Sequence, residues 1–146
     1  GTTQQEAINY GNTLHEIMAL IYCKTDVEAA LEKVVENGVI TVNESKTFRK
    51  TIQEIINHQE LVIFFDGKNK VLNEQLILDS EFGNLKPDKI VIQGNNILIL
   101  DYKTGEFSDN HKKQIEKYTL TLQKMNYSVI KKVLVYTNQS IQVVLL

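Results

Sequence analysis

The sequence predicts an α/β (α+β) fold, a mixed β-sheet flanked by helices with a helical segment at the N-terminus, built as one domain over residues 1–146. Three observations carry that expectation. The first third repeats apolar residues at helical spacing, the middle holds Ile-, Val- and Leu-rich runs cut by turn residues, and another helical pattern precedes two closing strands. A chain of this length buries one sound core and not two.

From Gln4 to Tyr22, Ala7, Ile8, Leu14, Ile17, Met18 and Ile21 recur near helical spacing. Thr25-Asp26 caps a second helix that ends at Gly38 after Asn37, and Val39 to Asn43 reads as a connector. Glu44 to about Asn57 carries Phe48, Ile52, Ile55 and Ile56 on one stripe, a third helix. Leu61 to Phe65 suits a buried strand or a helical turn equally. Val71 to Leu78 reads as a strand partnered, across the Glu81-to-Lys86 loop, by the strand that follows Asp88. A helix from about His111 to Met125 turns Ile115, Tyr118, Leu122 and Met125 inward. Val133 to Thr137 and Ile141 to Leu146 close the chain as strands around Asn138-Gln-Ser140.

The stretch from Lys86 to Gly105 is the most informative. Residues 88–93 and 96–103 read as strands, and Gly94-Asn95 between them is a two-residue hairpin signal. That turn sets Asp88 opposite Asp101 with Cβ atoms roughly 4.5–5.5 Å apart, and Lys103 on the same face. A three-residue loop would instead rotate the acids onto different faces. One face then carries Ile90, Ile92, Ile97 and Ile99 beside the acids and the other Val91, Leu98 and Leu100, so the hairpin is covered on both sides and the first register is expected. Two carboxylates that close favour a cation, and oxygen ligands favour Mg2+ or Mn2+.

Pro87-Asp88 followed by Asp101-Tyr102-Lys103 resembles the signature of the PD-(D/E)XK nucleases. Gly11-Asn-Thr-Leu-His15, Asp101-Tyr-Lys-Thr-Gly105 and Gln114-x-x-x-Tyr118 fall in the order of the RecB-like branch, a likeness running from about Gly11 to Tyr136. The resemblance implies a restriction-endonuclease-like sheet. It also implies an exonuclease domain of the kind found at the C-terminus of UvrD/Rep-type helicases in double-strand-break repair. Asp88, Asp101, His15 and the backbone carbonyl of Tyr102 would then hold the metal ion. Lys103 would position or deprotonate water and stabilise phosphate charge, and Gln114 would bond near the metal or Lys103. Tyr118 would contact DNA, brace its helix or simply fill the core. Glu74 matches a commonly acidic position, for metal or lysine contact or else facing solvent. Thr104 either ends its strand or bonds a phosphate oxygen. By itself His15 would more often be a satisfied core histidine; its place four residues after Gly11 puts both on one helical face, where the glycine permits close approach.

Cys23 is the single cysteine, which excludes an internal disulfide and the four-cysteine iron–sulfur cluster of some RecB-like nucleases; it is expected as a small core residue. A net charge of −2 is unusual for a nucleic-acid enzyme. Lys86, Lys89, Lys103, Lys112, Lys113 and Lys117 surround the candidate site in sequence, most of them expected as solvated faces. Weak intrinsic affinity for DNA follows, which fits a module that receives single-stranded DNA from a linked helicase. The start Gly1-Thr2-Thr3, without methionine, suggests an excised piece of a longer chain or a tag remnant, although processing gives the same start. Apolar runs are too short to span a membrane and no leader opens the sequence, so the cytoplasm is expected. A catalytically silent DNA-binding or scaffold module with the same fold, or a stand-alone endonuclease, are the rival readings.

Overall fold

Helix α1 (Thr2–Met18) enters the core only through its last turns. Leu14, Ile17 and Met18 are buried there, whereas Ile8 is 45% exposed. The computed structural model describes residues 2–138 and 140–146; Gly1, and Gln139 of the expected Asn138–Ser140 turn, lie outside the described residues. The first helix stops four residues short of the expected Tyr22, because the Asp26 carboxylate accepts the backbone N–H groups of Tyr22 and Cys23 and winds Lys24–Asp26 into a 3-10 turn. Helix α2 (Val27–Glu36) follows and ends as expected: Gly38 takes φ +74° and Val39 N–H donates to Val34 O at 2.9 Å, a glycine-terminated helix end. Helix α3 (Val42–Asn57) begins inside the predicted connector. Its start is fixed by a reciprocal box in which Thr41 Oγ1 accepts Glu44 N–H and the Glu44 carboxylate accepts Thr41 N–H, an arrangement that contributes about 1 kcal/mol. The ambiguous stretch after it resolves into a 3-10 turn, Val62–Phe64, that buries Phe64 and its neighbour Phe65.

Among the described residues seven strands follow: β1 (Lys70–Asn73), β2 (Ile77–Asp79), β3 (Gly83–Leu85), β4 (Lys89–Gln93), β5 (Asn96–Lys103), β6 (Ser128–Tyr136) and β7 (Gln142–Leu145). Five form one mixed sheet in the order β1-β4-β5-β6-β7, and β2 with β3 form a small separate ribbon. Within the large sheet, β5 and β6 run parallel, linked by helix α4 (Asp109–Lys124), and the other pairs are antiparallel. This is the mixed sheet flanked by helices that the patterning predicted. Its two faces carry separate cores. Val91, Leu98, Leu100 and Tyr102 pack with residues of α1, α2 and α3, while Ile90, Ile97 and Ile99 pack with Ile115, Tyr118 and Leu122 of α4.

The structure also corrects five expectations. The Val71-to-Leu78 strand is two strands, broken where Glu74 adopts φ +51° and its backbone N–H makes a last bond to Asp88 O. Beyond that point β2 leaves β4 and pairs with β3, inside what reads as the Glu81-to-Lys86 loop. Met125 is 52% exposed because α4 ends before it can turn inward. Cys23 is only half-buried, its sulfur 2.9 Å from Thr25 Oγ1. Lys89, grouped by sequence with the lysines around the acids, points to the opposite face and is fully buried. Its ammonium donates to Ile21 O at 2.9 Å and Asn73 Oδ1 at 2.8 Å and lies 4.7 Å from the centre of the Phe65 ring. These partners are neutral, so burial dominates and pushes Lys89 down to about 7.

Candidate active site

The Gly94-Asn95 turn keeps the two-residue register: Gln93 pairs with Asn96 and Lys89 with Leu100. One step past the last pair, the Asp101 carboxylate holds the backbone of Asp88 and the Asp88 carboxylate holds that of Tyr102. Asp88 N–H donates to Asp101 Oδ1 and Tyr102 N–H donates to Asp88 Oδ2, both at 2.8 Å. Asp101 is 2% exposed and Asp88 partly open to solvent. Burial, and after it the charge of Asp88, pushes Asp101 up to about 7, although the Lys103 ammonium 3.5 Å from Asp101 Oδ2 works in the other direction. One side of the clasp therefore holds an acid that gives up its proton reluctantly.

His15 reaches this pair from α1. Its Nδ1 lies 2.9 Å from Gly11 O and its Nε2 3.1 Å from Asp88 Oδ2. The Asp88 carboxylate holds the second ring proton and raises the imidazole to about 9, against a smaller opposing effect of burial; the carbonyls of Gly11 and Tyr102 add to the rise. With Nδ1–H on Gly11, Nε2 is the nitrogen left for either a proton or a metal ion. Gly11 permits this approach because α1 crosses the end of β5 there: a methyl group on Gly11 would collide with Thr104 Cγ2. Thr104 thus meets α1 through its methyl.

Lys103 closes the other side. Its ammonium makes a short hydrogen bond to Gln114 Oε1, so the i, i+4 pair Gln114 and Tyr118 on α4 does meet the site. Tyr118 is 2% exposed, and burial together with the neighbouring Asp101 charge pushes its phenol far up. It braces α4 as a neutral core hydroxyl and has no surface for DNA. Tyr102 turns its ring to the opposite face, edge-on to His15 at 5.7 Å, so only its main chain faces the acids. Glu74 touches the site by its backbone bond to Asp88 O.

Lys86, Lys112, Lys113 and Lys117 are exposed, as expected of solvated faces. The structure adds two residues that the sequence reading did not single out, His111 and Tyr136. His111 Nδ1 is 2.7 Å from Tyr136 Oη, and Tyr136 sits beside Lys103 across β5 and β6. The signal was present as His111-x-x-Gln114, one face of one helix.

Asp88, Asp101, His15, Lys103 and Gln114 are therefore together at one end of the β4–β5 hairpin. Among the described residues no three His, Cys, Asp or Glu side chains form a ready-made metal cage. The donor types nonetheless suit a divalent ion: an imidazole nitrogen, a partly open carboxylate and a backbone carbonyl converge beside an acid that burial makes costly to ionise. Among those residues no helix is long and apolar enough to cross a membrane. Compared with known protein families and with curated proteins, the chain gives no match.

Proposed function

We propose that this domain is a divalent-metal-dependent deoxyribonuclease, an exonuclease acting on single-stranded DNA supplied by a linked helicase in recombination and double-strand-break repair. One observation carries the reading: two clasped acids, a lysine beside the buried one and a histidine on the open one meet at a single hairpin end. His15 Nε2, the carboxylates of Asp88 and Asp101 and the carbonyl of Tyr102 would hold Mg2+ or Mn2+. The ion, when bound, supplies Lewis acidity toward a phosphodiester and lowers the acidity barrier of water. Lys103, steadied by Gln114, places positive charge where the phosphate oxygens gain negative charge and orients the attacking water. The Gly11 carbonyl, which accepts Nδ1–H, fixes the ring plane of His15. The net charge of −2 supports a module that depends on a motor for delivery of its strand.

The direct test is end-labelled single-stranded DNA incubated with the purified domain. Cleavage with Mn2+ that stops on chelation is expected; no cleavage with either Mn2+ or Mg2+ overturns the reading. Metal uptake itself supplies an independent check. Because His15 holds its proton up to about 9, binding must expel that proton, and the apparent Mn2+ affinity should climb as pH rises toward 9. Titration calorimetry in buffers of differing ionisation enthalpy measures the released proton. An affinity flat across this window would remove His15 from the ligand set.

A further inference from the structure

The flank of the site beyond Lys103 has a construction of its own. Tyr136 is the parallel-strand neighbour of Lys103, so both side chains stand on the α4 face of the sheet. The Tyr136 hydroxyl lies 2.7 Å from His111 Nδ1, within hydrogen-bond distance. When the hydroxyl donates to Nδ1, the ring proton of the neutral imidazole is on Nε2. Burial, and next the charge of Lys103, hold this imidazole below its ordinary value, so it is a neutral donor rather than a cation. His111 precedes Gln114 by three residues, on the helical face that also holds Lys103 in place. Beside this cluster Phe107 leans on Tyr136 with ring centres 6.3 Å apart, yet is 48% exposed. An imidazole N–H donor, a lysine and an uncovered aromatic ring are the elements that hold one nucleotide of a single strand: donors for the phosphate and a flat surface for the base.

We propose that His111 and Phe107 form a nucleotide subsite flanking Lys103, in which His111 Nε2–H donates to a phosphate oxygen of the strand and Phe107 stacks on a base. The inference rests on the nuclease reading above and says on which side of the acids the strand lies.

The experiment compares wild type, His111→Ala, His111→Gln and Phe107→Ala on oligodeoxythymidylate, with melting curves to confirm folding. With Mn2+, His111→Ala and Phe107→Ala should each raise KM roughly tenfold, the weight of one charge-assisted hydrogen bond or one stacked base, with kcat little changed. His111→Gln, whose amide nitrogen reaches the place of Nε2, should recover most of the loss. Binding of the same oligonucleotide with Ca2+ in place of Mn2+, followed by fluorescence anisotropy, should weaken in parallel. Wild-type binding without cleavage, weakened by both alanine variants, would sink the nuclease reading and leave the subsite standing. Unchanged KM and affinity in the variants, a loss confined to kcat, or a wild type that binds no oligonucleotide each overturns the subsite.

Discussion

Asp101→Asn is expected to lose Mn2+-supported cleavage by on the order of a thousandfold while making the fold more stable. The two effects share a cause. Asp101 is 2% exposed, and burial followed by the Asp88 charge raises it to about 7 from an ordinary 3.8. Between those values the folded state holds a proton that the unfolded chain releases, so stability falls as pH rises from about 4 to about 7. Asparagine removes the ionisation and keeps an oxygen to accept Asp88 N–H, the bond that closes the clasp. The gain should therefore be absent near pH 4 and complete above pH 7, where the rise from 3.8 to about 7 corresponds to about 4 kcal/mol. Melting curves across that range give the sign directly. A variant that is destabilised at pH 8 would show that the Lys103 contact outweighs burial. One that keeps cleaving would remove Asp101 from the chemistry.

Local signals made half of this site readable in the sequence and hid the other half. Gly94-Asn95 between two β-branched runs signals a two-residue turn, and the apolar cover on both faces selects the register that places Asp88 opposite Asp101 with Lys103 two residues on. Helical spacing puts Gln114 and Tyr118 on one face, and the Gln-x-x-x-Tyr resemblance assigns that face to the site. His15 is different, since 73 residues separate it from Asp88 and no periodicity connects them. Only the resemblance carried by the Gly11-to-His15 motif points to it, and the geometric reason for that motif, α1 pressed on Thr104, exists only in the folded chain. The break at Glu74 was hidden because the residue is neither glycine nor proline, and its left-handed φ is imposed by the change of partner from β4 to β3. Lys89 was misplaced for a related reason. Alternation puts it on the face opposite Asp88, but only tertiary packing brings Ile21 O and Asn73 to receive a buried ammonium.

Gly11→Ala should be destabilising even though alanine is the better helix former. Inside α1 the exchange is worth about 1 kcal/mol in alanine's favour. Against it stands the contact with Thr104 Cγ2, a branch on a stiff side chain at the end of β5, where overpacking costs typically 1–3 kcal/mol. A shift of α1 has a further consequence, since it carries both the Gly11 carbonyl and His15 away from Asp88. The imidazole would then fall from about 9 toward 6.5, readable by NMR titration. A histidine raised in this way stabilises the fold fully below pH 6.5, and that contribution is lost as pH rises through 9. The deficit of Gly11→Ala should consequently be larger at pH 6 than at pH 10. Thr104→Ser removes the offending methyl and is expected to restore stability, the His15 titration and metal affinity to Gly11→Ala, although by itself it changes little. Additive effects in this double-mutant cycle would mean that the two residues do not meet, and that the closeness of His15 to Asp88 depends on some other contact.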